Sequence, residues 1–288
     1  MQIKIAKHSG FCEGVERAHK IALEQTKAGS QVFMLGKLVH NTQVIERFEK
    51  AGVKTVKAIS EIPANSQGIL LISTHGVPPE IYTEAKAKGL GVIDTTCPWV
   101  KKAQKIAGEF AKEGRQVIIV GDKGHTEVKG LLGWSLGKGK VIEVIEDIEE
   151  IGDIKETKGI KVDKIGILAQ TTQSEEHFQK IVAATKQKFP DVKASDTICG
   201  ATSKRQSAAT ELAQQVDLML VIGDKMSANT KRLTELCSKT GTETHQIQTV
   251  EELDSNWLKN KQKIGLTAGA STPNWVIEKV IAKLKNLC

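Results

Sequence analysis

Short apolar runs alternate with longer amphipathic stretches along the whole chain. The runs are rich in Val, Ile and Leu and are bounded by Gly, Asp or Lys, which is typical of strands. We predict strands at 3–6, 31–35, 53–56, 69–73, 91–94, 116–120, 140–145, 164–168, 192–195, 217–222, 243–247 and 263–267. Between most of them apolar residues recur with helical spacing, as in 98–114, where one face carries Val100, Ala103, Ile106, Ala107, Phe110 and Ala111. This alternation predicts an α/β fold with mostly parallel sheets.

Three cysteines mark an internal repeat. Cys12, Cys97 and Cys199 each follow a predicted strand and precede a helical stretch, in HSGFCEGVERA, IDTTCPWVKKA and SDTICGATSKRQ. A glycine stands 24 residues after each cysteine, at Gly36, Gly121 and Gly223. A polar residue stands 28 residues after each, at His40, His125 and Ser227. Polar loops at 73–79, 169–174 and 267–274 complete the pattern, which predicts three similar small domains.

Three like domains around a pseudo-threefold axis would bring their equivalent loops to one central cavity, because α/β proteins bind ligands at the carboxyl ends of their strands. Thiols at helix N-termini favour the thiolate form, and three convergent thiolates suit a soft metal centre. A 4Fe-4S cluster held by three cysteines leaves one iron open for substrate. Zinc stays an alternative, although it usually recruits a fourth protein ligand and the sequence has no CxxC knuckle.

The other polar residues of the predicted cavity favour an anionic ligand. Several stand at predicted helix starts, where free N–H groups attract phosphate; the set is His40, His75, His125, Ser227, Asn229 and Ser271. No Walker motif or GxGxxG is present, so a nucleotide is not indicated. Glu127 is the acid of this set and suits proton delivery. Helix capping is the alternative role for the other His, Ser and Asn residues, but for His75 it is packing on proline in its loop. A favourable helix-dipole contact is the alternative for Glu127.

Composition narrows the class of protein. Of 288 residues, 40% are hydrophobic and 26% are charged, which is ordinary for a globular protein. The net charge of +7 suits anionic ligands, but aromatic residues are only 4%, so platforms for nucleic-acid bases are scarce. The first residues resemble neither a signal nor a transit peptide, and no apolar run approaches the roughly 20 residues of a membrane helix. We therefore expect a cytoplasmic protein.

Nine segments of the chain resemble signature segments of the LytB/IspH family of 4-hydroxy-3-methylbut-2-enyl diphosphate reductases. They are GFCEGVERA, LVHNTQV, STHGVPPE, DTTCPWVKK, GHTEV, AQTTQS, DTICGATSKRQ, MSANTKRL and LTAGASTPN, in order from about residue 8 to about 275. The resemblance implies three α/β domains around an iron–sulfur cluster, with the first strand and Cys12 completing the third domain. The implied boundaries are 13–96, 97–194, and 195–288 plus 1–12.

The same resemblance implies roles for individual residues. Cys12, Cys97 and Cys199 would hold one 4Fe-4S cluster with an open iron, and Glu127 would deliver protons with the help of Thr171. The diphosphate would be bound by His40, His75, His125, Ser227, Asn229 and Ser271. The reaction would reduce the allylic alcohol with two electrons to isopentenyl and dimethylallyl diphosphates, the last step of the methylerythritol phosphate route. A ferredoxin or flavodoxin would supply the electrons.

Two positions depart from the resemblance, and three other functions stay open. Glu13 follows Cys12 where the family more often has a small or aromatic residue, and Ala228 stands where many members have a second serine. A non-redox iron–sulfur hydro-lyase would also use three cysteines and an open iron, but would need no reductant. An iron–sulfur sensor that binds nucleic acid would show salt-dependent affinity, and a zinc protein would be colourless.

Overall fold

The computed structural model of the chain describes residues 1–153 and 161–287. Its strands are β1 Gln2–Ile5, β2 Val32–Leu35, β3 Lys54–Val56, β4 Ile69–Ile72, β5 Gly91–Asp94, β6 Arg115–Val120, β7 Gly139–Ile142, β8 Lys161–Ala169, β9 Asp191–Ser195, β10 Leu218–Ile222, β11 Glu243–Ile247 and β12 Lys263–Ala268. Its α-helices are α1 Glu13–Lys27, α2 Thr42–Lys50, α3 Glu80–Ala87, α4 Pro98–Lys112, α5 Thr126–Trp134, α6 Glu175–Lys188, α7 Gly200–Ala213, α8 Ala228–Lys239 and α9 Asn274–Leu287. Each strand predicted from the sequence is present.

Within the described residues, the strands form three parallel sheets of four strands each. The spatial orders are β3-β2-β4-β5, β7-β6-β8-β9 and β11-β10-β12-β1. In the first two sheets, the strand that comes first in the chain (β2 or β6) lies between the second and the third. In the third sheet, β10 lies between β11 and β12 in the same way, and β1 takes the edge position of a fourth strand beside β12. Grouping the strands by their order in the chain would therefore place β1 in the wrong sheet, because it does not pair with β2. The predicted α/β class with parallel sheets is confirmed.

The sheets are buried on both faces, which explains why their central strands are continuous apolar runs. On β6, Val117 and Ile119 pack with apolar residues of α4 and α5. Ile118 and Val120 point to the opposite face and pack with α6. Alternate residues of β10 also point to opposite faces of their sheet. Met219 packs with apolar residues of α7 and α8, and its two neighbours on the strand pack with apolar residues of α9.

The repeated glycines occupy equivalent places in the three sheets. The N–H of Gly36 donates to the carbonyl of Val56, that of Gly121 to Ile142 and that of Gly223 to Ile247. Each glycine directly follows a central strand. The acceptor is the last residue of the edge strand that pairs with this central strand. The spacing of 24 residues from each cysteine thus reflects one loop built three times.

One predicted strand is too long. The run at 140–145 predicts a strand to residue 145, but β7 ends at Ile142 and a 3-10 helix begins at Ile145. The cause is Asp147, because its Oδ2 accepts hydrogen bonds from the N–H groups of Glu143 and Val144 at 2.7 and 3.3 Å. A carboxylate that bonds two successive N–H groups starts a turn and ends the pairing.

The chain forms two compact units. The terminal unit comprises Met1–Glu16, Val39–Arg47 and Gly200–Cys288, and the central unit comprises Arg17–Leu38 and Phe48–Cys199. The three predicted domain boundaries stay a prediction. Among the described residues, no helix combines the length and apolarity needed to cross a membrane.

Candidate functional site

Each of the three repeated cysteines is fixed by the same backbone contact. The N–H of Cys12 donates to Ala270 at 3.2 Å, that of Cys97 to Thr74 at 3.0 Å, and that of Cys199 to Thr171 at 3.0 Å. The acceptors belong to the three polar loops that the sequence singles out at 267–274, 73–79 and 169–174. Within its own sheet, each cysteine therefore lies against the loop that follows the third strand.

All three cysteines precede a helix and are half-buried. Cys12 is followed by α1, Cys97 is the residue before Pro98 of α4, and Cys199 is followed by α7. None of them is in a disulfide, so three sulfur donors are available to a metal. Cys237 is different: it is fully buried against the carbonyl of Ala209, and burial raises its pKa to about 12. Cys288 lies outside the described residues.

The DTxC sequences shape two of the cysteine loops. Asp94 and Asp196 accept hydrogen bonds on Oδ1 from the N–H two residues later, which forms a tight turn before each cysteine. The intervening threonines are fully buried, and their hydroxyls donate at 2.5 Å to strand carbonyls, Thr95 to Ile72 and Thr197 to Ala169. These bonds lock Cys97 and Cys199 onto the ends of their sheets.

Glu127 is a buried acid whose two carboxyl oxygens are both bound by Thr171. It lies in the first turn of α5 and is 2% exposed. Thr171 donates to it twice, from its N–H to Oε1 at 2.6 Å and from its Oγ1 to Oε2 at 2.7 Å. Burial raises the pKa of the Glu127 carboxyl to about 7, and the charge of Asp122 acts in the same direction, while the bonds from Thr171 lower it. A carboxyl with this pKa can hold and release a proton at neutral pH.

The structure brings His125 and His75 together beside this acid. His125 caps α5, because its Nδ1 accepts a hydrogen bond from the N–H of Glu127 at 3.1 Å. The cap places the ring proton on Nε2, so the ring presents an N–H donor on its other side. The ring of His75, from the loop after β4, lies edge-to-face with it at 5.5 Å between centroids. Capping and ligand binding are therefore compatible in His125.

Ser227 and Asn229 stand at the start of α8 in the terminal unit. Ser227 caps the helix, since its Oγ accepts from the N–H of Thr230 at 3.3 Å. Asn229 is 4% exposed, and neither its Oδ1 nor its Nδ2 has a hydrogen-bond partner among the described residues. A buried amide without partners costs about 1–3 kcal/mol. Such a group is typical of a site that is completed by a polar ligand.

Ser271 and His40 are joined directly. The hydroxyl of Ser271 donates to the carbonyl of His40 at 2.9 Å, and Ser271 is buried. A hydroxyl has one proton. In this conformation Ser271 therefore positions the His40 backbone, and it would have to rotate to donate to a ligand.

Arg205 is not among the site residues predicted from the sequence. A basic residue stands five positions after each repeated cysteine, and after Cys199 it is Lys204, which is exposed. The next residue, Arg205, is 2% exposed and donates to the carbonyl of Gly10 at 2.7 Å. The helical period of α7 could have identified it, because it lies on the face that also buries Thr202, Ala209 and Leu212. Glu13, the acid beside Cys12, is exposed.

Comparison with known proteins gives consistent results over the full length. The family model described as LytB protein matches residues 3–285. The chain is 43% identical to a curated 4-hydroxy-3-methylbut-2-enyl diphosphate reductase of Clostridioides difficile, covering 100% of both chains. It is 42% identical to that of Geobacter metallireducens, covering 100% of this chain and 98% of the relative.

Solved structures agree with the sequence comparison. The E-1-hydroxy-2-methyl-but-2-enyl-4-diphosphate reductase of Plasmodium falciparum superimposes with a TM-score of 0.90 at 33% identity, over 99% of this chain and 88% of that one. A second structure, of an (E)-4-hydroxy-3-methyl-but-2-enyl diphosphate reductase described as the terminal enzyme of the non-mevalonate pathway, superimposes with a TM-score of 0.69 at 39% identity, over 99% and 100%. The resemblance drawn from the sequence is confirmed, and the chain belongs to the LytB family of 4-hydroxy-3-methylbut-2-enyl diphosphate reductases.

Proposed function

We propose that this chain reduces (E)-4-hydroxy-3-methylbut-2-enyl diphosphate to isopentenyl and dimethylallyl diphosphates. The C–O bond to the hydroxyl group breaks and a C–H bond forms. Two electrons and two protons are consumed, and the oxygen leaves as water. The family membership supports the reaction class, and the buried acid Glu127 is the observation in the site that carries the proposal.

The LytB family implies an iron–sulfur cluster, and the donor set of this chain fits one. Three half-buried thiols stand at three equivalent loop ends, and none is in a disulfide. We assign Cys12, Cys97 and Cys199 as the ligands of one 4Fe-4S cluster with an open iron. When bound, the cluster would supply electrons and a Lewis-acidic iron for the hydroxyl group of the substrate.

Glu127 supplies the proton that the leaving hydroxyl group needs. Its raised pKa keeps a large share of the carboxyl protonated near pH 7, where an exposed glutamate is ionised. Thr171 fixes both oxygens, so the acidic proton is held at a defined place rather than on a rotating side chain. General acid catalysis of this kind contributes about 10²–10⁴-fold in rate.

The diphosphate is bound by neutral donors rather than by an arginine clamp. His40, His75, His125, Thr171, Ser227, Asn229 and Ser271 form the proposed binding set. Asn229 is its best-supported member, because neither polar atom of its buried amide has a hydrogen-bond partner among the described residues. A ligand with several negative charges needs such donors, since a buried phosphate without them would be costly. A ferredoxin or flavodoxin is the proposed electron donor.

The proposal is tested by anaerobic turnover with a chemical reductant, with products identified by chromatography and mass spectrometry. We expect both five-carbon diphosphates from the unmodified chain, and loss of turnover in Glu127→Gln and Cys97→Ser. Cys237→Ala and the exposed Glu84→Gln serve as matched controls and should retain turnover.

Three outcomes would contradict the proposal. Turnover that continues without any reductant would point to a hydro-lyase. A colourless protein that binds zinc would exclude the cluster. A brown protein with about four irons per chain but no product would keep the cluster and reject the substrate.

A further inference from the structure

The loop in front of Cys12 is held differently from the other two cysteine loops. Two residues before Cys97 and Cys199, the buried hydroxyls of Thr95 and Thr197 bind strand carbonyls. The equivalent position before Cys12 is Gly10, which has no side chain. The loop makes two contacts of its own: Ser9 Oγ donates to the Ala6 carbonyl at 2.8 Å, and the N–H of Gly10 donates to the Ala268 carbonyl at 3.5 Å.

A further side-chain contact reaches the loop from α7, through Arg205. Its Nη2 donates to the carbonyl of Gly10 at 2.7 Å, two residues before Cys12. The guanidinium is 2% exposed, and a buried cation is retained only where hydrogen bonds or opposite charges compensate for lost water. A charge-assisted bond to a carbonyl is roughly twice as strong as a neutral one.

The opposite side of Gly10 is also confined. Gly10 has a φ of +88°, which L side chains rarely adopt. A Cβ there would come within 3.0 Å of Asn274 Oδ1, 3.1 Å of Ile277 Cδ1 and 3.4 Å of the Thr272 carbonyl oxygen. The loop is thus pressed against the start of α9, while Arg205 holds its carbonyl.

We propose that Arg205 is a positioning residue that fixes Cys12 for metal binding. Its bond to Gly10 does for the Cys12 loop what the threonine hydroxyls do for the loops of Cys97 and Cys199. This inference rests on the proposed role of Cys12 as a cluster ligand.

The test is hydrogen–deuterium exchange of the anaerobically purified full-length chain, with iron release to a chelator measured alongside. In Arg205→Met we expect the peptide covering residues 7–13 to exchange at least threefold faster. Peptides covering residues 72–78 and 95–100 should be unchanged, and iron should be released at least threefold faster. Lys204→Met, which removes an exposed charge from the adjacent residue, should change neither measurement.

Arg205→Lys is the second variant. Lysine keeps the charge and one donor, so exchange in residues 7–13 should lie between that of the unmodified chain and that of Arg205→Met. If Arg205→Met does not fold, Arg205→Lys decides, and selective acceleration in residues 7–13 supports the proposal. Equal acceleration in all peptides, or none in residues 7–13, would overturn it. Because exchange is measured without substrate, failure of the proposed reaction would not alter this result.

Discussion

The carboxyl group of Glu127 is bound on both oxygens by Thr171, a residue 44 positions away in the chain. The two residues come from different elements at the end of one sheet, since Glu127 lies in the first turn of α5, after β6, and Thr171 lies in the loop after β8. The N–H of Cys199 donates to the carbonyl of the same threonine. Thr171 thus joins the proposed proton donor to a proposed cluster ligand through its own backbone and hydroxyl group.

We predict that ionisation of Glu127 destabilises the folded chain. The carboxyl has a pKa of about 7 when folded and about 4.5 when unfolded. Between these values the folded state holds the extra proton, so this contribution to stability is complete below about pH 4.5 and is lost as the pH rises through 7. The free energy of unfolding, relative to that of Glu127→Gln, should fall by about 3 kcal/mol over this range. Denaturant titrations from pH 4 to pH 8 measure it, and a rising difference would contradict the assignment.

We predict that Thr171→Val shifts the pH dependence of turnover upward. The hydroxyl group of Thr171 lowers the pKa of Glu127, so removing it should leave the acid protonated to higher pH. The alkaline limb of kcat/KM should move to higher pH, while absolute turnover falls because the acid is less well oriented. Thr171→Ser keeps the donor and is the matched control. An unchanged limb in Thr171→Val would show that another group sets the pH profile.

We predict that the three repeated cysteines, and not Cys237, determine iron content. Single Cys→Ala variants at 12, 97 and 199 should each lose most of the iron and the brown colour after anaerobic purification. Cys237→Ala should retain both, although the small cavity that it leaves should lower stability by about 1 kcal/mol. Iron per chain and the visible absorption spectrum are the measurements. Full iron in any one of the three variants would remove that residue from the ligand set.

We predict opposite effects of Asn229→Leu on stability and on substrate binding. Leucine has a similar shape and removes a buried amide whose polar atoms have no hydrogen-bond partner among the described residues, so the melting temperature should stay the same or rise. KM for the diphosphate should increase at least tenfold. Asn41→Leu is the matched control, because Asn41 is equally buried but its Oδ1 accepts from the N–H of Val44. That variant should lose about 1 kcal/mol of stability, and a stability loss in Asn229→Leu would contradict the prediction.

Local pattern determined most of the fold. Each predicted strand is present, because the run of β-branched residues and the polar residues that bound it are properties of adjacent positions. The helix predicted at 98–114 is α4, and its predicted apolar face is buried apart from the half-buried Ile106. The spacing of Cys97 from Gly121 reflects a repeated loop, so it too is readable along the chain.

The arrangement of elements distant in the chain was not determined by local pattern. The pairing of β1 with β12 joins strands at opposite ends of the chain, and no local signal indicates it; the family resemblance implied it. The turn at Asp147 shortens β7 through a side-chain bond that competes with strand pairing. Arg205 is outside the predicted site set, and the packing of α7 buries it while its neighbour Lys204 stays exposed.

The sequence by itself determined the repeat, the fold class, the family and the residue types that the chemistry needs. Each of these depends on composition, spacing or similarity, all of which are present in a linear chain. The tertiary structure decided which groups are desolvated and which share hydrogen bonds. The pKa of Glu127 depends on burial and on Thr171, and the Cys12 loop depends on Arg205, which is 195 residues from Gly10 in sequence. The strength of an electrostatic interaction depends on the distance between the two groups and on the exclusion of water around them. Folding sets both.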